Sequence, residues 1–366
     1  MNDLLLKLKI INALAGIVLK GKNFGDFVLR KPVQIFEKNL AGYIGSKYVF
    51  GVASGTDALI LSLKAFGIGP GDEVIVPAVS FFSTAGAVSW VNAKPVFVDV
   101  ELSSFNINPN LIEKAITEKT KGIIAAHLNG RMADMDEISR IAKKHNLFLI
   151  EDAAQAIGAT YKGKPICYYG DIACLSFNPS KILTGFGDGG AIVTNNRPTA
   201  DKISFLKMYG TAFENLSVKH PIIGVASRLS PFHAAVMNIK IENLDDIIKR
   251  QRNNYFQYSR FLDGVGDLIL PSVSQDYSVN GYRYVILTKK RNELHKFLRD
   301  NKVDSRIQYG VPLPYFEAFA YLGYSKGEFP VAEKIAEESL VLPTGPHIAG
   351  KDIRMISILI KNFYEK

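Results

Sequence analysis

The chain has 366 residues, with 47% hydrophobic and 22% charged side chains, 30 Gly and 16 Pro. That length predicts two domains and a core large enough to need no disulfide or metal. The composition excludes a disordered chain, a collagen-like repeat and a disulfide scaffold. Lys and Arg number 44 against 35 Asp and Glu, a net charge of +9, which favours anionic partners such as nucleic acid, anionic lipid or phosphorylated small molecules. The positive residues are scattered, in short clusters such as Lys143-Lys144 and Lys289-Lys290-Arg291. With no nucleic-acid module behind them, they read first as a solvated basic surface. Two cysteines occur, Cys167 and Cys174, with no His pair nearby; this predicts no zinc site and a reduced, cytoplasmic protein.

Leu4 to Leu19 is apolar with Lys7 and Lys9 near its front. It lacks a small-residue cleavage pattern before Lys20 and is too short for a membrane span. Leu5, Leu8, Ile11, Leu14 and Ile17 recur at helical spacing. They predict an amphipathic helix that packs on the body or on a second subunit, with peripheral membrane contact as the alternative. From about residue 46 to 195, β-branched runs alternate with helical ones. Strands are predicted at Tyr48–Val52, Glu73–Val76, Pro95–Val98, Gly122–His127, Leu147–Ile150, Ala173–Phe177 and Ala191–Thr194, and helices at Asp57–Phe66, Thr84–Trp90 and Asp136–His145. Such alternation means βαβ units, so the fold class is α/β: a seven-stranded, mostly parallel sheet with helices on both faces. After Gly224 the rhythm changes. A long charged helix, Pro231–Leu262, precedes a strand at Tyr282–Thr288, a helix at Asn292–Asn301, a short strand near Arg306-Ile307, a helix at Val331–Ser339 and a last helix from Asp352. This reads as a smaller α+β domain, dividing the chain into residues 1–240 and 241–366.

Ligands of open α/β sheets bind outside the carboxyl ends of the strands, and three such ends carry polar residues. Ala53-Ser54-Gly55-Thr56-Asp57 opens a helix with small and hydroxyl residues, an arrangement that suits phosphate or a plain N-cap. Glu151-Asp152-Ala153-Ala154-Gln155 places two carboxylates at the end of an apolar strand, where burial is costly without a cationic or protonated partner. Asp152 facing a protonated pyridine nitrogen meets that need; capping a following helix is the alternative. Ser176-Phe177-Asn178-Pro179-Ser180-Lys181 ends a third strand, and Lys181 there reads as a Schiff-base nucleophile or as a surface lysine. Gly185-Phe186-Gly187-Asp188-Gly189-Gly190 satisfies G-x-G-x-x-G, yet a strand and no helix follows it, so it is not a dinucleotide fingerprint. A phosphate cradle, an acid and a lysine on one sheet describe a site for pyridoxal phosphate, with no metal.

Ser54-Gly55-Thr56-Asp57-Ala58-Leu59, Gly69-Pro70-Gly71-Asp72-Glu73, Ala133-Asp134-Met135-Asp136, Glu151-Asp152-Ala153-Ala154-Gln155, Pro179-Ser180-Lys181 and Gly187-Asp188-Gly189-Gly190 resemble the DegT/DnrJ/EryC1/StrS family of sugar-nucleotide aminotransferases. The resemblance implies fold type I of the pyridoxal-phosphate transferases and a homodimer. It also implies transfer of an amino group from glutamate to a nucleotide-linked keto-sugar, in polysaccharide or deoxysugar biosynthesis. By the same resemblance Lys181 is the Schiff-base lysine, Asp152 pairs with the pyridine nitrogen and Gln155 with the ring's phenolic oxygen. Gly55, Thr56 and Ser176 would hold the phosphate, and Phe81 would stack on the ring unless it is a core phenylalanine. The stretch Tyr321–Pro330 looks most like members that aminate the 3-keto position.

Departures from the family pattern fall on the substrate half. Ala226 stands where an asparagine is usual, Gln308 and Pro314 where histidines are, and Arg131-Met132 where Gln-Pro is. Arg131, Arg228 and Tyr309 are therefore the candidate substrate contacts. Two rivals follow from the resemblance: a regulatory or sensory member that keeps the cofactor without turnover, and a sugar dehydratase. Dehydratase relatives carry histidine where this chain has Lys181.

Overall fold

The computed structural model describes residues 3–20, 31–214 and 217–365. Seven strands form the main sheet: β1 (Tyr48–Val52), β2 (Glu73–Pro77), β3 (Lys94–Val98), β4 (Thr120–Ala126), β5 (Phe148–Asp152), β8 (Ile172–Ser176) and β9 (Gly190–Thr194). Between them lies a small hairpin, β6 (Thr160–Tyr161) and β7 (Lys164–Pro165); after them come β10 (Ala212–Glu214), β11 (Ser217–Lys219), β12 (Tyr277–Ser278), β13 (Tyr284–Leu287) and β14 (Ser339–Leu342). The sheet order is β1-β9-β8-β5-β4-β2-β3. Only β9 runs against its neighbours, pairing antiparallel with both β1 and β8. The chain thus has the expected α/β class, with the seven predicted strands as its sheet.

Both faces of the sheet are buried, which is why the strands read as continuous apolar runs. Successive side chains point to opposite faces. Ile75 and Ile123 join one core with Phe36, Leu40 and Phe177, while Val74, Val76 and Ile124 join the other with Leu63, Ile150 and Phe319. A third core packs Tyr255, Tyr258 and Leu262 against Leu298, Leu340 and Ile353. Strand β13 lies between cores: Tyr284 and Ile286 belong to the third, Val285 and Leu287 to the second.

Several expectations are corrected. The long helix is two, Pro231–Ile241 and Leu244–Leu262, because Asn243 leaves helical geometry with φ −121° and ψ 17°. The strand near Arg306 is a single bridge to Val341. Helix Pro330–Glu338 stops where Ser339 starts β14, an edge partner of β13. Helix Lys31–Ile44, whose Val33, Phe36, Leu40 and Ile44 are buried, had no counterpart in the sequence reading. The N-terminal helix, Asp3–Lys20, packs on Pro231–Ile241 and buries Ile10 and Ile17, while Leu5, Leu8, Ile11, Val18 and Leu19 stay exposed. No helix among the described residues is long and apolar enough to cross a membrane.

Phe36 is fully buried and meets the Phe177 ring edge-on at 5.3 Å, directly beneath the segment that carries Lys181. Phe36→Ala should cost about 3–5 kcal/mol, read as a lowered denaturant midpoint with an unchanged slope.

Candidate active site

Strand register gathers the polar segments at one edge. Ser176 at the end of β8 faces Gly190 at the start of β9, which in turn faces Val52 at the end of β1. Asp152, ending β5, lies beside Cys174 of β8. The segments that leave these strands line a cavity of about 390 Å³ that brings together Gly55, Thr56, Phe81, Asp152, Gln155, Ser176 and Lys181.

The loop after β1 is held from three sides. Ser54 accepts the Asp57 N–H at 3.0 Å, so the N-cap expected as an alternative is present. Ser227 donates to Asp57 Oδ2 at 2.6 Å and accepts the Ala53 N–H at 3.1 Å. Thr56 and Ser83 hydroxyls meet at 2.7 Å. This leaves the first N–H groups of the helix, which have no partner inside it, at the cavity. Glycine is required here: a Cβ on Gly55 would lie 2.8 Å from the Ser176 Cβ, and one on Gly190 2.3 Å from the Ser54 carbonyl oxygen.

The two carboxylates of β5 separate because neighbours on a strand face opposite ways. Glu151 is fully buried and accepts the N–H groups of Cys167 and Gly170 at 3.0 and 2.7 Å. His127 Nδ1 accepts the Ala133 N–H, so its Nε2 carries the proton and donates to Glu151 at 3.0 Å. Asp152 turns to the cavity. The Thr84 hydroxyl donates to its Oδ2 at 2.7 Å and is itself met by Ser80 at 2.7 Å; the Ala154 N–H reaches Oδ1 at 3.3 Å. No helix follows β5, only turns, so Asp152 does not cap one. Among the described residues no cation forms an ion pair with Asp152, whose exposure is 8%.

Gln155 accepts the Asn129 N–H at 2.9 Å and donates through Nε2 to the Tyr309 hydroxyl at 3.0 Å. One amide hydrogen therefore remains for a ligand. Phe81 is 62% exposed at the cavity wall, which removes the core alternative. Lys181 follows an Asn178 turn that accepts the Ser180 N–H at 3.1 Å and is fastened by Asp188 at 2.9 Å. Its Nζ lies 5.2 Å from the centre of the Tyr282 ring. Burial alone would raise the Tyr282 phenol, yet the charges of Lys181 and Arg283 and its hydrogen bonds hold it below the ordinary range. Arg283 Nη2 donates to that hydroxyl at 3.0 Å and also lines the cavity.

The three candidate substrate contacts lie outside this cavity. Tyr309 is buried, which raises its phenol, and it bonds Gln155. Arg131 donates to the carbonyls of Ser103 and Ser272. Arg228 stacks 5.1 Å from the Tyr209 ring centre. Sequence reasoning missed Tyr282, Arg283, Thr84 and His127. Only His127 carried a signal, as a polar residue at a strand end.

A model of the DegT/DnrJ/EryC1/StrS aminotransferase family matches residues 17–360. The chain belongs to this family. It is 41% identical to a pleiotropic regulatory protein of Geobacillus stearothermophilus, covering 92% of this chain and 91% of that one. It is 38% identical to the dTDP-3-amino-3,6-dideoxy-alpha-D-galactopyranose transaminase of Aneurinibacillus thermoaerophilus, over 91% of this chain and 90% of that one. The crystal structure of S. venezuelae DesV superposes with a TM-score of 0.94 at 35% identity, covering 99% of this chain and 95% of that one. The protein is thus an aminotransferase of the pyridoxal-phosphate fold.

Membership implies pyridoxal phosphate, and the cavity fits it. A carboxylate held only by neutral donors suits a protonated ring nitrogen, and the glycine crossing leaves room for a phosphate against free N–H groups. Gly190→Ala should force the Ser54 loop away from β9 and lower pyridoxal-phosphate retention after dialysis by tenfold or more, with the fold intact by circular dichroism.

Proposed function

We propose that the protein transfers an amino group from glutamate to a nucleotide-linked keto-sugar, at the 3-keto position. The observation that carries this reading is Lys181 in the same cavity as an unpaired, buried Asp152. The name of the Aneurinibacillus relative supports amination at position 3, and the +9 charge suits a phosphorylated substrate.

In this reading the Asp152 carboxylate keeps the pyridine nitrogen protonated, while Thr84 and Ala154 fix its orientation. Gln155, anchored by Asn129 and Tyr309, turns its remaining amide hydrogen to the phenolic oxygen. Gly55, Thr56 and Ser176 would hold the phosphate, and Phe81 would cover the ring. When bound, pyridoxal phosphate supplies the electron sink that makes the amino-bearing carbon acidic. The Lys181 amine would anchor the cofactor and, as a free amine, would take up and return the proton of that carbon. The Tyr282 ring limits where Nζ can go. Arg131, Arg228 and Tyr309 act on substrate only indirectly here, as supports of the surrounding loops. A homodimer belongs to the same proposal, supported by the apolar Leu5, Leu8 and Ile11 left exposed on the N-terminal helix. So do the cytoplasm as its compartment and the division into residues 1–240 and 241–366, supported by the separate third core.

A second reading, a regulatory member without turnover, is favoured by the name of the Geobacillus relative. Spectra decide between them. With pyridoxal phosphate added, the protein should show a visible band that glutamate bleaches. A band unchanged by glutamate overturns glutamate as donor, and one that no amino donor bleaches supports the regulatory reading. Lys181→Ala should lose the band and reduce turnover by about 10⁴-fold or more. Asp152→Asn should keep the band but lower kcat by about 10²-fold or more.

A further inference from the structure

Beside the cofactor cavity lies a second one, of about 200 Å³, between the segments that follow β3 and β4 and the strand β13. Its walls are mainly apolar, with Phe105, Tyr255 and Leu270 among them. Two guanidinium groups, those of Arg131 and Arg283, also line it, and no Asp or Glu does. Arg131 Nη1 donates to two backbone carbonyls, at 3.2 and 2.8 Å, while its Nε is buried without a partner. Arg283 donates to the Tyr282 hydroxyl, and both guanidinium groups lie over rings, Arg131 4.2 Å from the Tyr277 centre and Arg283 4.8 Å from the Tyr282 centre. Among the described residues, neither charge is met by a carboxylate in an ion pair. Asn129 lines the same cavity at a left-handed φ of 57°, and both its amide atoms are buried without partners.

Cations with rings and neutral acceptors but no counter-ion, and orphaned polar atoms beside apolar surface, are costly. A ligand that relieves both carries one negative charge on a short apolar body. The volume holds on the order of half a dozen heavy atoms, far short of a nucleotide. Inorganic phosphate would meet the charge and leave the apolar walls uncovered. We propose that this cavity binds a small organic carboxylate with an aliphatic chain, its charge drawn to Arg131 and Arg283. Such a ligand sits close to the chemistry. Asn129 holds Gln155 through its backbone N–H at 2.9 Å, and Arg283 lines both cavities and bonds the tyrosine that lies against Lys181.

The test is calorimetric titration of butyrate into the protein saturated with pyridoxal phosphate, at fixed ionic strength. Saturable heat in the millimolar range is expected, with inorganic phosphate giving none. Leu270→Trp fills the cavity and should abolish the heat, and Ile269→Trp, at a half-exposed wall residue, serves if the first does not fold. Arg283→Gln should weaken binding by about tenfold. Absence of saturable heat overturns the proposal. So does equal binding in the filled variant, which would place butyrate in the cofactor cavity, or phosphate binding as tightly as butyrate. Because heat is read and not turnover, the result stands apart from the fate of the sugar-amination reading.

Discussion

The carboxylate of Asp152 is the constraint around which the site is arranged. It is nearly buried, and the groups that reach it are a hydroxyl and an amide, not a cation. A charge taken from water in this way is stable only if a positive partner arrives from outside the chain or if neighbours are shaped to hold it. The neighbours are so shaped. Ser80 fixes Thr84, Thr84 fixes Asp152, and the sheet register sets Asp152 two strands from Gly190, where the chain passes tightly over Ser54.

Its companion Glu151 shows the opposite solution within one residue. Pointing to the other face, it gathers His127 and two backbone N–H groups and needs no ligand. This cluster ties β4 and β5 to the segment around Cys167, and burial lifts the thiols of Cys167 and Cys174 well above their usual range. Both cysteines are thereby inert packing residues, and a pair of carboxylates that looks like one acid–base device is divided into a support and a binding group.

The sheet was legible in the sequence because a strand buried on both faces is apolar along its middle, and the seven runs from Tyr48 to Thr194 are, with their polar residues at the ends. Lys181, Asp152 and the Ser54-Gly55-Thr56 turn were legible because polar residues at strand ends have few other reasons to be there. The rest depended on long-range packing. Asn243 breaks a helix that charge pattern and length both allow. Strand β14 exists only because β13 offers it an edge, and Arg283 reaches the cavity, and Tyr282 the lysine, from a segment about a hundred residues beyond Lys181, with no local pattern to announce them. The N-terminal helix repeats its apolar residues around much of its surface, so helical spacing picked the stripe from Leu5 to Ile17, whereas the body covers Ile10 and Ile17 and leaves Leu5, Leu8 and Ile11 exposed.

Strand β13 carries a mechanical consequence. Its side chains alternate between two cores, Tyr284 and Ile286 on one side, Val285 and Leu287 on the other. A free swing of the C-terminal helices would pull Val285 and Leu287 out of apolar contact, at roughly 1.5–3 kcal/mol for each side chain exposed. Movement around the substrate is therefore restricted to short sliding of packed layers, and Tyr282 and Arg283, at the end of that strand, travel with it as a single rigid tip against the lysine.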